Sequence, residues 1–248
     1  MMADKLFMLN IELALDGMLE LARRRKLPVR STDTGYMVHV QLKELFGENA
    51  PSPFSVRANR GRMLRVLGYS SQNSVALAKQ AKLYTEPSVY STCNWENFVD
   101  KSMPDDWSRG QKLGFELRVC PVVRMGFRSD KHKKGAEVDA FLKRCWEIDD
   151  PEHPVKRGEV YRDWLAAHLE HQTGARLVNC QLRSFLLQKL LRRRHGSDRK
   201  TKLIKRPDAT LRGVIEVENE EAFPRLLRNG IGRHRTFGYG MLLLRPVK

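Results

Sequence analysis

The order of segments in the first hundred residues limits the fold more than any other feature. Lys5–Leu13 alternates apolar and polar residues as a half-buried strand does. Asp16–Lys26 follows with Met18, Leu19, Leu21 and Ala22 at helical spacing, and Pro28 stops it. Asp33 or Thr34 caps a second helix, Gly35–Phe46, which Gly47 ends. Phe54–Ala58 and Met63–Tyr69 read as paired strands turned across Asn59–Gly61. Ser71–Tyr84 reads as a helix with Val75, Leu77, Ala78 and Ala81 on about one face, and Val89–Thr92 as a strand. Strand, helix, strand, strand, helix, strand is the order of the split βαβ unit.

The polar stretch Ser102–Gln111 reads as a linker. Beyond it the same order returns with insertions and without any repeat of sequence. Leu113–Met125 is a strand interrupted at Pro121, and Val138–Cys145 and Glu159–His171 are helical. Ala175–Leu187 and Leu211–Val217 are strands separated by a basic excursion, Arg192–Arg206. Asn219–Arg228 is a helix despite Pro224, and Met241–Arg245 closes as a strand.

Charge narrows the function. The 45 Lys and Arg outnumber the 29 Asp and Glu, giving a net charge of +16. Such a surface attracts polyanions, and the basic residues cluster beside glycines and turns rather than along an amphipathic membrane helix, which favours nucleic acid. No apolar run reaches the length of a membrane span, and no secretory leader is evident, so the expected compartment is the cytoplasm. Cys93, Cys120, Cys145 and Cys180 have neither CxxC nor finger spacing and read as inert thiols. No metal or other cofactor is expected.

Three groups of residues can carry chemistry. The loop Asn229–Gly240 holds glycines at 230, 232, 238 and 240, with Arg233, His234 and Arg235 between them. Glycines let backbone N–H groups approach phosphates, and arginine and histidine hold phosphates or stack on bases. A dinucleotide fingerprint is excluded, because that loop follows a strand and opens a helix. The plainer alternative is a flexible basic turn.

The second group runs from Arg183 to Arg206. It contains Arg183, Lys189, Arg192, Arg193, Arg194, Arg199, Lys200, Lys202, Lys205 and Arg206 against one acid, Asp198. A basic hairpin of this kind suits A-form RNA, which is recognised mostly through shape and backbone. A solvated loop has the same composition.

The third is the helix Gly35–Phe46, where Tyr36, His39 and Lys43 stand at i, i+3 and i+7 on one face. Such a trio can cleave RNA without metal. The RNA's own 2′-hydroxyl is the nucleophile, so the protein supplies a base, an acid for the departing 5′-oxygen, and a cation for the phosphorane. By spacing alone His39 equally fits a structural residue at a helix edge. His168 and His171 lack a third metal ligand, and the acids Glu147, Asp149, Asp150 and Glu152 read as a solvated cluster.

These segments resemble the CRISPR repeat-RNA endoribonucleases, and among them the CasE type of the Cascade systems. Leu226–Pro246, LLRNGIGRHRTFGYGMLLLRP, resembles the family's glycine-rich loop and final strand. Phe115–Arg124, FELRVCPVVR, is similar to the strand that opens its second domain. Tyr36-Met37-Val38-His39-Val40-Gln41-Leu42, with Leu45 and Phe46, resembles its catalytic helix. The resemblance implies an α+β fold of two tandem ferredoxin-like (RRM-like) domains, here 1–108 and 109–248. It implies metal-independent cleavage at the 3′ base of the repeat hairpin, leaving a 2′,3′-cyclic phosphate. It also implies partnership with CRISPR repeat RNA or crRNA and with other Cascade-type effector subunits.

His39 then takes the acid–base role, with Tyr36 as its partner and Lys43 placed as the cation. Some relatives use arginines instead, for which Arg23, Arg24 and Arg25 are close enough in sequence. The expected RNA contacts are Arg124, Arg183, Arg192, Arg193, Arg194, Lys200, Lys202, Lys205, Arg206, Gly230, Gly232, Arg233, His234, Arg235 and Gly238. The rival from another class is a non-catalytic subunit that holds the crRNA hairpin.

Overall fold

The computed structural model describes residues 5–28, 33–57, 61–128, 130–148, 154–193 and 201–247. The first half runs β1 (Phe7–Ala14), α1 (Leu15–Arg24), α2 (Thr34–Phe46), β2 (Phe54–Val56), β3 (Met63–Ser70), α3 (Ser74–Tyr84), a single turn α4 (Pro87–Tyr90) and β4 (Val99–Ser102). The second runs β5 (Lys112–Val119), β6 (Val122–Arg124), β7 (Glu137–Asp139), α5 (Ala140–Ile148), α6 (Arg157–Gln172), β8 (Ala175–Arg193), β9 (Thr201–Val217), α7 (Ala222–Asn229) and β10 (Leu242–Arg245).

Each half forms a four-stranded sheet, in the orders β2-β3-β1-β4 and β10-β5-β9-β8. Every pairing in them is antiparallel. Numbered within its own half, each sheet has the order 4-1-3-2, so both are ferredoxin-like. The period-2 pattern is responsible in β1: Leu9, Ile11 and Leu13 are fully buried under α1, α2 and α3, with Asn10 and Glu12 between them.

Two expected elements changed. Val89–Thr92 is not a strand. Pro87 opens α4, where its fixed φ and missing N–H suit a first helical turn, and Val89 points into the core. The fourth strand comes later, pairing Phe7–Asn10 with Val99–Ser102. In α3, capped by Asn73, the inward residues are Ser74, Leu77 and Ala81, whereas Val75 is 74% exposed.

The described parts of the basic excursion, 192–193 and 201–206, also proved to be strand. β8 and β9 span 19 and 17 residues and pair out to Arg193 and Thr201. The lysines and arginines there lack β-propensity, but the ladder begun by Ala175–Leu187 simply continues through them. Two extra residues on β8, Val178 and Arg183, interrupt the register and raise the local twist.

The halves are packed together rather than strung on a linker. Leu6, Met8, Leu67 and Tyr69 of the first join the large core of the second, and the Tyr69 hydroxyl donates to the Leu242 carbonyl at 2.9 Å. Leu191 of β8 packs on Ala22 and Leu27. Cys93 and Cys120 are buried, and burial pushes the Cys93 thiol up to about 12, as expected of an inert thiol. Among the described residues no helix is long and apolar enough to cross a membrane.

Candidate functional site

The site begins with Asp33. Its side chain accepts the Tyr36 N–H at 3.0 Å through Oδ1, capping α2, and the Leu191 N–H at 3.2 Å through Oδ2. One buried carboxylate therefore fixes the first turn of α2 and the far part of β8 together. Tyr36 and His39 project from that turn and the next, with ring centroids 6.2 Å apart.

The glycine-rich loop packs on the same helix. Its 3₁₀ turn Arg235–Phe237 brings the Phe237 ring 5.5 Å from Tyr36, nearly parallel at 13°. The same ring meets His39 edge-on at 5.0 Å and 69°. The backbones touch as well: a Cβ on Gly35 would lie 2.1 Å from the Phe237 carbonyl oxygen. Two segments some two hundred residues apart in sequence thus form one site across the domain seam.

A cleft of about 150 Å³ opens beside them, lined by His39, Leu42, Lys43, Ser52, Phe54 and Thr236. Lys43 lies on it with its ammonium 3.3 Å from the exposed Glu48. Tyr36, His39 and Lys43 are all half-buried, accessible to a substrate yet held by packing. Arg24 pairs with Glu86 and bonds Ser88, and Arg25 pairs with Glu44. A larger cleft of about 400 Å³ is lined by Gly35, Met37 and Arg57 of the first half and Arg118 and Gln188 of the second. Its two arginines are engaged, Arg57 with Glu116 and Arg118 with Asp208.

The loop's glycines serve the protein's own packing. Gly230 and Gly238 are buried, with φ of +67° and +84°. A Cβ on Gly230 would meet the Gly240 oxygen at 2.7 Å, and one on Gly232 the Trp164 ring at 2.7 Å. Each of these glycines therefore meets a demand of the fold itself, a positive φ and a close approach that a side chain would block.

Glu137 was not singled out in the sequence, yet it organises the loop's charge. His234 Nε2 lies 3.1 Å from it, Arg206 Nε 3.3 Å, and Arg233 pairs with it too. The His234 hydrogen bond, helped by the charges of His234, Arg233 and Arg206 and opposed by burial, holds Glu137 at about 2. Glu116 plays a similar part elsewhere, accepting from Arg57, Arg212 and Arg245. Burial favours its neutral form, but those arginines prevail and keep its carboxyl below the usual range.

The other basic residues divide by position. Arg183 is the extra residue of a bulge and, like Lys205, is exposed on the hairpin. Arg124 is exposed at the end of β6. Arg235 is exposed and donates to the Asn229 carbonyl. Arg192, Arg193 and Lys202 lie in the strands, but their side chains fall outside the described residues, as do Arg194 and Lys200 altogether. His168 Nδ1 is 2.9 Å from the Trp164 carbonyl, and burial lowers its pKa; among the described residues no group of three or more His, Cys, Asp and Glu is placed to hold a metal ion.

The chain has relatives both in family and in fold. The model of the CRISPR associated protein family matches residues 17–246. The fold is similar to that of Thermus thermophilus Cse3 bound to an RNA representing a pre-cleavage complex, at 18% identity and a TM-score of 0.60, covering 98% of this chain and 100% of that one. It is similar to the CRISPR-associated protein Cas6e from Escherichia coli K-12, at 19% identity and a TM-score of 0.61, covering 97% and 100%. A chain of a CRISPR RNA-guided surveillance complex matches at 13% identity and a TM-score of 0.59, also covering 97% and 100%. At these identities the likeness is one of fold. No curated protein matches the chain in sequence.

Proposed function

The chain belongs to the CRISPR associated protein family, and within that family we propose that it is the endoribonuclease that processes precursor CRISPR RNA. It binds the repeat stem-loop and cuts at the 3′ base of the stem. The RNA's 2′-hydroxyl loses its proton and attacks the adjacent phosphorus. The bond to the 5′-oxygen breaks, that oxygen gains a proton, and a 2′,3′-cyclic phosphate remains. His39 carries a proton in this exchange, Tyr36 assists it, and Lys43 offsets the phosphorane's charge. Every step is served by these side chains, so the reaction needs no metal.

One observation carries this reading: Tyr36 and His39 meet the glycine-rich loop at Phe237, beside a cleft that also holds Lys43. The proposed RNA grip is the β8–β9 hairpin with Arg183, Arg192, Arg193, Arg194, Lys200, Lys202 and Lys205. Arg124, Arg206, Arg233, His234 and Arg235 extend it. Glu137 gathers three of these, and with Arg206 and Arg233 both on it the cluster stays net positive whether or not His234 carries a charge. We place the domain boundary at 108/109, and the fold shared with a surveillance-complex chain supports retention of the product with Cascade-type subunits.

The test is cleavage of labelled repeat RNA in EDTA. The wild-type protein should cut, while His39→Ala should lower the rate by about 10²–10⁴-fold and keep RNA binding. RNA with a 2′-deoxy sugar at the cut should be inert. Binding without cleavage by the wild-type chain would leave the non-catalytic hairpin-holding subunit as the correct reading, and a magnesium requirement would refute the mechanism.

A further inference from the structure

We infer that Phe237 is a positioning residue: from the second domain, it sets the Tyr36 and His39 rings of the first in their reactive arrangement. The inference rests on the ribonuclease reading above. Phe237 covers Tyr36 face to face and meets His39 with its edge, so one side chain restricts both. Half-buried rings on a helix face still have more than one rotamer open to them, and a proton-transfer pair loses rate when its geometry is not held.

Phe237 suits this task because its own position is over-determined. Its N–H donates to the His234 carbonyl at 2.8 Å, closing the turn. His234 begins that turn in the left-handed region, with φ +61°, and its imidazole is anchored on Glu137. Gly238, at φ +84°, ends the turn and lies against Phe54, where a Cβ would be 3.3 Å from the ring. The carbonyl of Phe237 rests on Gly35, and its ring packs beside the buried Cys120, Val122, Leu190 and Tyr239. The catalytic pair therefore reaches its working geometry only when the two domains are seated on each other.

The experiment compares wild type, Phe237→Ala, Phe237→Leu and Phe237→Tyr in the full chain. It measures single-turnover cleavage, affinity for 2′-deoxy repeat RNA and thermal melting. Phe237→Ala should slow cleavage by about 10²-fold with affinity unchanged. Phe237→Tyr keeps the ring and should restore most of the rate, whereas Phe237→Leu, folded but ringless, should remain slow. Combined with His39→Ala, Phe237→Ala should bring no further loss, because it acts through the group already removed. A wild-type rate in Phe237→Ala or Phe237→Leu overturns the inference. So does a loss of affinity that accounts for the slowing, or a loss additive with His39→Ala. An inactive wild-type protein instead fails the ribonuclease reading itself.

Discussion

Gly35 and Gly158 both occupy the second position of a helix, α2 and α6, and replacement by alanine should have opposite consequences at the two. Helix propensity favours alanine by about 1 kcal/mol at either. At Gly158 nothing opposes it, because the new Cβ would meet only Leu182 Cβ at 3.7 Å. At Gly35 the new Cβ would stand 2.1 Å from the Phe237 oxygen and 2.9 Å from its carbonyl carbon, both backbone atoms. Real Cβ atoms essentially never come under 3.0 Å, so helix and loop must part by at least 0.9 Å. Overpacking of this kind costs about 1–3 kcal/mol, which outweighs the propensity gain.

The expected net loss for Gly35→Ala is about 1 kcal/mol, a Tm lower by about 2–4 °C, while Gly158→Ala should gain a similar amount. The displacement falls between Phe237 and the pair it covers, and about 1 Å of misplacement at reacting groups slows a reaction by about 10²-fold. Differential scanning calorimetry and single-turnover cleavage of repeat RNA measure the two effects. A Gly35→Ala protein as stable and as fast as Gly158→Ala would refute the close approach of α2 and the loop.

Acid should erase what Glu137 contributes. Its folded pKa is about 2, below the usual carboxylate value, so its stabilisation is full above about pH 5 and lost as pH falls towards 2. Glu137→Gln should therefore lower stability at neutral pH, by an amount on the order of 1–3 kcal/mol, with the Tm gap from wild type closing in acid melts. Asp33→Ala removes a helix cap and leaves the Leu191 N–H without that acceptor, so urea titration should show a loss of about 2–3 kcal/mol. Arg183→Ala and Lys205→Ala should each reduce the salt dependence of repeat-RNA affinity, by about 0.7–0.9 in the slope of log K against log salt. An unchanged slope would take that side chain out of the RNA contact.

Sequence carried far where local rules act. The alternation of Leu9, Ile11 and Leu13 set β1, and Asp33 announced the start of α2. The helix–loop–strand order around 229–240 placed the loop correctly. Local rules misled at Val89, where three apolar or β-branched residues look like strand until Pro87 is weighed. They also undersold the hairpin, because lysine and arginine have little strand preference of their own and pair there by continuation. Phe237 was visible as a letter in GIGRHRTFGYG, but its partners Tyr36 and His39 lie near the other end of the chain, and no periodicity joins them. Glu137 stayed hidden for the same reason: its three cationic partners come from residues 206, 233 and 234.

The two oxygens of Asp33 have a consequence for measurement. One holds the helix that carries Tyr36 and His39, and the other holds the strand from which the basic hairpin extends. Under the proposed activity, clamp and blade are mounted on a single pin, like the jaws of a caliper. The distance between the gripped stem and the cut is then a fixed length of the fold. Repeats that differ in loop sequence should be severed at the same offset from the stem's base, and each added base pair should lengthen the far end of the stem rather than move the cut.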